Sequence, residues 1–249
     1  GGGLPLDEAL WGQVLEELLE QSVRSSYSLQ LQESSPEAGG YNFEYQGRRL
    51  KAPAFAQDEN STCAVSFTLP TDFLREQGPG RVRELALELA RGLPLSFGYA
   101  SLALITPTLD WYAARRTVRE WRDRCLGLDV AHLEQTSRVL GARARGAYWL
   151  TFLGPSLLSR LGGAEGVRQQ LAFPDPAVQP MEGGRVLLMP SEWPELIDTA
   201  NQERPSPRLL ALAQWLEPVL YQEEVTGWFF QDPAQGREDM RRWIRRLCP

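Results

Sequence analysis

The hydrophobic period of this chain switches repeatedly between the 3.6-residue repeat of a helix and the 2-residue repeat of a strand, and that switching limits the fold more than any other sequence feature. Between residues 6 and 22, Leu6, Leu10, Val14, Leu15, Leu18 and Leu19 recur at three-to-four spacing with Glu16, Glu17 and Glu20 opposite, which predicts an amphipathic helix. Tyr27, Leu29 and Leu31 then alternate with polar residues, and Tyr41, Phe43 and Tyr45 do the same. Gly39-Gly40 lies between the runs, so a hairpin is expected, followed by a third strand at 62–69. Residues 81–91 put Val82, Leu85, Ala86 and Leu89 on one helical face and stop at Gly92. Residues 99–105 read as a buried strand.

The second half repeats this order. Helices are expected at 111–125, 155–161, 205–221 and 237–247, and strands at 142–153 and 185–189. Gly78-Pro79-Gly80 reads as a turn. "FTLPTDFLREQG" (67–78) is weakly echoed by "LTFLGPSLLSRLGG" (150–163), each a strand running into a proline-started helical turn, as two related halves would show. Strands and helices cluster without strict βαβ alternation, so the fold class is α+β, with antiparallel or mixed sheets and packed helices. The Pro- and Gly-rich stretches 174–184 and 192–207 do not resemble interdomain linkers. At 249 residues one unit spanning 1–249 is expected, and Gly1-Gly2-Gly3 carries no fold information.

Composition removes several functional classes. Hydrophobic residues at 43% and charged residues at 23% exclude a disordered or fibrous chain. The net charge of −6 opposes direct nucleic-acid binding and favours a basic partner. No stretch is long and apolar enough for a membrane span, and no signal peptide is visible. Cys63, Cys125 and Cys248 are isolated and odd in number, which excludes a disulfide framework and points to a reducing, cytoplasmic home.

Catalytic groups are scarce. His132 is the single histidine, in a loop-to-helix stretch where a capping or half-buried role is the plain reading. An enzyme would need Cys125 or Cys63 beside it in a cleft. Phosphate loops, the GxSxG elbow, HExxH and EF-hand loops are all missing, so no catalytic, metal-binding or cofactor-binding residue is assigned and no cofactor is expected. The arginines at 115, 116, 119, 122 and 124, and at 237, 241, 242, 245 and 246, read as solvated helix faces. Carboxylate pairs such as Glu223-Glu224 read as surface, and most of the eight Trp read as core.

Trp193 is the exception, sitting among acids and prolines in "PSEWPELID" (190–198). Residues 191–204 read as a stiff, exposed, acidic projection, with Glu192, Trp193, Glu195 and Asp198 as candidate partner contacts. Asp58 and Glu59, in the loop before the third strand, form a second acidic candidate.

Four strings, "FGYASLAL" (97–104), "GLDV" (127–130), "AYWLTFLGPSLLSRLGG" (147–163) and "GRVLLMPSEWPELIDTAN" (184–201), together resemble the bacterial type VI secretion immunity proteins over roughly residues 27–220. The resemblance implies a non-enzymatic antitoxin that binds a cognate effector toxin, with a nuclease preferred because some relatives lie beside toxins of restriction-endonuclease fold. It implies no catalytic residue and leaves the oligomeric state open. A Cys/His enzyme and a structural component of the secretion machinery are the competing readings.

Overall fold

The computed structural model describes residues 7–20, 25–33, 40–106, 111–130, 132–171, 177–222 and 233–248. Gly1–Gly3, Gly39, Glu223-Glu224, Trp228 and the start of the 174–184 stretch lie outside them. In order the elements are α1 (Glu8–Glu20), β1 (Ser26–Gln32), β2 (Asn42–Arg48), β3 (Ala64–Thr68), α2 (Thr71–Arg91), β4 (Phe97–Ala100), α3 (Trp111–Arg124), α4 (Leu133–Val139), β5 (Leu150–Leu153), α5 (Pro155–Arg160), α6 (Gly163–Gln170), β6 (Val178–Met181), β7 (Arg185–Leu188), α7 (Pro207–Leu216) and α8 (Pro233–Ile244). The fold class is α+β, with one antiparallel sheet ordered β1-β2-β3 and another ordered β4-β5-β7-β6.

The four-stranded sheet organises the interior. Because side chains alternate across a strand, Leu153, Val186 and Leu188 face one way and Phe152, Leu187 and Met189 the other. The first set joins a cluster with Val118 of α3, Leu157 and Leu158 of α5, Val167 of α6, Leu209, Leu212, Ala213 and Leu216 of α7, and Trp243 and Ile244 of α8. The second packs with Trp149, Ala90 and the half-buried Val82, Ala86 and Leu87 of α2. Cover on both faces explains why β5 and β7 read as continuous apolar runs rather than alternating ones. In α7 the buried residues fall at i, i+3, i+4 and i+7. Ser206 starts this helix by accepting the Leu209 amide proton at 3.2 Å, and Pro207 fixes the first turn.

The expected strand at 142–153 is regular only from Leu150, and that at 99–105 shifts to Phe97–Ala100. The segments left over make only single bridges, Ala144 to Leu220 and Ala103 to Asp129, because their neighbours are loops rather than strands. The stretch 174–184 contains β6, hidden from sequence by Pro180. Pro lacks an amide proton, and β6 tolerates it as the sheet's edge strand.

The echoed segments share a local design. β3 leads through Pro70 into α2, which kinks at Gly78 (φ 78°, ψ 167°), while β5 leads into α5, then Gly162 (φ 85°), then α6. Both are strand, helix, positive-φ glycine, helix. Gly78-Pro79-Gly80 is thus a kink inside α2 rather than a turn that ends it.

Two surface assignments change. Arg122 is 1% exposed, with Nη2 at 2.7 Å from both Asp123 Oδ1 and Asp239 Oδ2, so one arginine of the α3 run joins α3 to α8. Trp121 is 42% exposed and lies under the Arg124 guanidinium, 5.2 Å away, whereas Trp149 and Trp243 are core.

Candidate partner-binding site

The segment after β7 is fastened before it reaches the surface. Trp149 Nε1 donates to the Glu192 carbonyl at 3.0 Å and Ser191 Oγ to the Trp193 carbonyl at 2.8 Å. Further on, the Gly127 and Leu126 amides donate to the Leu196 and Ile197 carbonyls at 2.9 and 3.1 Å. Gly127 is required by this approach, because a β-carbon there would collide with the Glu195 carbonyl oxygen. Buried Ile197 is held at φ 56°, an unfavourable angle for a β-branched residue that only the surrounding bonds sustain.

Asp198 is the fastening point. Its carboxylate accepts two bonds from Arg124, Nε to Oδ1 at 2.8 Å and Nη2 to Oδ2 at 2.5 Å, and also caps the turn Thr199–Asn201 through the Ala200 amide at 3.0 Å. The Arg124 bond chiefly holds its pKa below the ordinary carboxylate value. Glu195 accepts the Ser206 amide proton at 2.8 Å and the Ser206 hydroxyl at 2.6 Å, supporting the cap of α7. Asp58 accepts from the Asn60 amide at 2.9 Å and the Ser61 hydroxyl at 2.6 Å, closing its own turn.

The six candidate residues therefore separate. Asp198, Glu195 and Asp58 hold loops in shape. Glu192, Glu59 and Trp193 are exposed, Trp193 at 47%, and the acidic cluster expected on 191–204 is not a uniformly exposed projection, because Asp198 is buried. The two segments are brought to the surface by different elements, one after β7 and the other before β3.

Sequence reasoning missed a buried polar centre. Asp129 and Arg145, both buried, lie 3.1 Å apart, and Arg145 also donates to the Val130 carbonyl at 2.7 Å and Thr136 Oγ1 at 2.8 Å. Tyr99 Oη donates to Asp129 Oδ2 at 2.6 Å and Tyr148 Oη to Oδ1 at 3.2 Å, with the two rings stacked 4.0 Å apart. Burial opposes ionisation of Asp129, but Arg145 and the Tyr99 hydroxyl outweigh it and hold its pKa low. Burial, then the Asp129 charge, pushes Tyr148 up to about 12. The "GLDV" string holds both Gly127 and Asp129, and an Asp between apolar residues was its one legible sign.

The groups an enzyme would use are placed in other work. His132 caps α4, its Nδ1 accepting from the Gln135 amide at 3.2 Å, as its sequence position suggested. The Cys63 sulfur lies 3.2 Å from both the amide and the carbonyl of Arg48, and Cys125 is buried, which raises its pKa. Among the described residues no group of three His, Cys, Asp or Glu is arranged to hold a metal, and no helix is long and apolar enough to cross a membrane.

The family model of TsiV, type VI immunity for VRR-NUC, matches residues 5–247. The chain belongs to the TsiV family. This TsiV chain shares its fold with a Pseudomonas aeruginosa T6SS protein, PA0821, at a TM-score of 0.74 and 22% identity, covering 100% of this chain and 70% of the other. No curated protein matches the sequence. The strings that carried the resemblance thus do folding work in this TsiV chain, supplying β4, the Gly127–Asp129 crossing, β5 with α5, and β7 with the Asp198 hub.

Proposed function

We propose that this chain binds a cognate type VI VRR-NUC effector and neutralises it by covering its nuclease site, as a stoichiometric partner rather than an enzyme. The observation that carries the reading is the TsiV match over residues 5–247. The roles of His132, Cys125 and Asp129 in capping, burial and charge pairing, and of Cys63 in bonding to the Arg48 backbone, support it. A nuclease must present cations to a phosphate backbone, and a partner of net charge −6 complements that surface and speeds encounter. The whole of 1–249 acts as one unit, in the cytoplasm.

Glu192, Trp193 and Glu59 are the proposed contacts from the two loop segments. Reversing Glu195 or Asp198 would instead break the Ser206 cap or the Arg124 pair, so those positions report on folding. Titrating the chain against an active VRR-NUC effector domain from the same genome, with plasmid cleavage as readout, is expected to end cleavage at one inhibitor per nuclease. Full protection at a small fraction of that ratio would mean catalytic detoxification and sink the proposal.

A further inference from the structure

We infer that the aromatic face of the β1-β2-β3 sheet is a docking surface for the basic, phosphate-binding side of the VRR-NUC nuclease. The inference rests on the immunity reading above and names the surface that it uses. Two faces alternate along the strands. The even-numbered residues of β2 turn toward α4: Arg48 Nη1 donates to Ser137 Oγ at 2.8 Å, Gln46 is buried, and Glu44, whose pKa burial raises, also feels Glu134 of α4. The Thr62 amide adds a bond to the Ser137 carbonyl at 2.8 Å. On β2 the polar side chains therefore point toward α4, whereas on β1 Ser28, Gln30 and Gln32 of the same face stay exposed.

The odd-numbered face is apolar and points away from α4. The strand register sets Leu31, Phe43 and Phe67 in one cross-strand row and Leu29, Tyr45 and Val65 in the next. None of these six is buried, Phe67 is 44% exposed, and Tyr41 beside the first row is 46% exposed. The Phe43 and Phe67 rings meet at 5.2 Å. Among the described residues every buried apolar side chain lies at Ala90 or beyond, so this face joins neither core cluster. The odd-numbered face thus keeps aromatic area open to a partner, at Phe67 and Tyr41 above all, while Leu29, Leu31, Phe43, Tyr45 and Val65 are half-buried.

Charge identifies that partner as basic. Residues 1–70 contain 10 acidic and 4 basic residues, whereas 71–249 contain 22 of each, so the entire net charge of −6 belongs to the part of the chain that builds this sheet. Glu33 lies at the end of the face, its carboxylate accepting the exposed Tyr41 amide proton at 3.1 Å. Aromatic rows ending at Glu33, in an acidic part of the chain, suit arginines and lysines of a phosphate-binding cleft, whose guanidinium planes stack on rings and whose charges meet carboxylates. The same charge repels nucleic acid itself.

The test uses the full chain and a catalytically inactive VRR-NUC effector domain from the same genome. Tyr41→Arg with Phe67→Arg places like charge on two exposed positions. It is expected to weaken binding at least 100-fold with the thermal midpoint unchanged, while Leu210→Arg, the same kind of change at an exposed apolar position of α7, alters binding at most about 2-fold. Unchanged affinity of the folded Tyr41/Phe67 variant overturns the inference, as does a wild-type dimer that this variant dissolves, because the face would then serve self-association. If the variant does not fold, hydrogen exchange on the wild-type complex decides: slowed exchange in β1–β3 supports the surface, and slowing confined to other elements overturns it. A wild-type chain that does not bind the nuclease at all overturns the immunity reading and this surface together, an outcome distinct from selective loss in the variant.

Discussion

Asp129 and Arg145 show how single residues can be decisive for stability while contributing nothing to surface chemistry. Each is a buried charge made tolerable by the other and by Tyr99, Tyr148 and Thr136. Removing one partner strands the other, so Arg145→Met is expected to cost about 3–5 kcal/mol in urea unfolding. Asp129 titrates below its usual 3.8 in the folded chain. Its contribution is therefore complete above about pH 4 and is lost as pH falls through the lower folded value. His132 has the same sign for a different reason. Burial lowers its pKa below 6.5, so the folded state binds the proton less readily than the unfolded one and stability falls as pH drops from 6.5 toward the folded value. Asn at 132 keeps a capping side chain and cannot titrate, so His132→Asn should remove that part of the loss between pH 7.5 and 5.5. Equal losses in both proteins across that range would contradict the assignment.

The elements divide into those whose pattern is local and those whose pattern depends on neighbours. α7 was legible because a 3.6-residue apolar repeat, a Ser cap and a following Pro all lie within the segment itself. β6 was not, because whether a Pro can sit in a strand depends on which edge is free. α2 was half legible: its second limb is periodic, but only the fold determines that Gly78 bends the helix rather than ending it. Gly78→Ala would force a side chain into a φ of 78° with ψ of 167°, and a loss of about 1–3 kcal/mol is expected. Gly80, two residues on, has open space around a β-carbon and no such angle. Gly80→Ala should therefore stabilise by about 0.4–1 kcal/mol, with thermal melts of the two variants moving in opposite directions.

At the scale of the whole molecule, buried apolar area and net charge are distributed unequally. The four-stranded sheet is covered on both faces, whereas the described residues before Ala90 contribute no buried apolar side chain. Amide exchange should accordingly be at least about 10-fold faster in β1–β3 than in β5 and β7 of the free protein, and uniform protection would show that the three-stranded sheet is not the weaker unit. The acidic 1–70 part also makes association with a basic nuclease salt-sensitive. The on-rate should fall several-fold from 50 to 500 mM NaCl while dissociation changes less, as stopped-flow mixing would measure. The sequence by itself determined the α+β class, most helices and strands, a capping or half-buried place for His132 and the family resemblance, since each follows from periodicity, caps and order within contiguous segments. Tertiary structure alone decided that Arg122 is core, that Glu195, Asp198 and Asp58 hold loops while Glu192, Glu59 and Trp193 stay exposed, that Asp129 meets Arg145, and that the first sheet turns its aromatic face away from α4. Those outcomes depend on which distant residue arrives within about 3 Å of a charge or over a face, and one-dimensional spacing does not encode that distance.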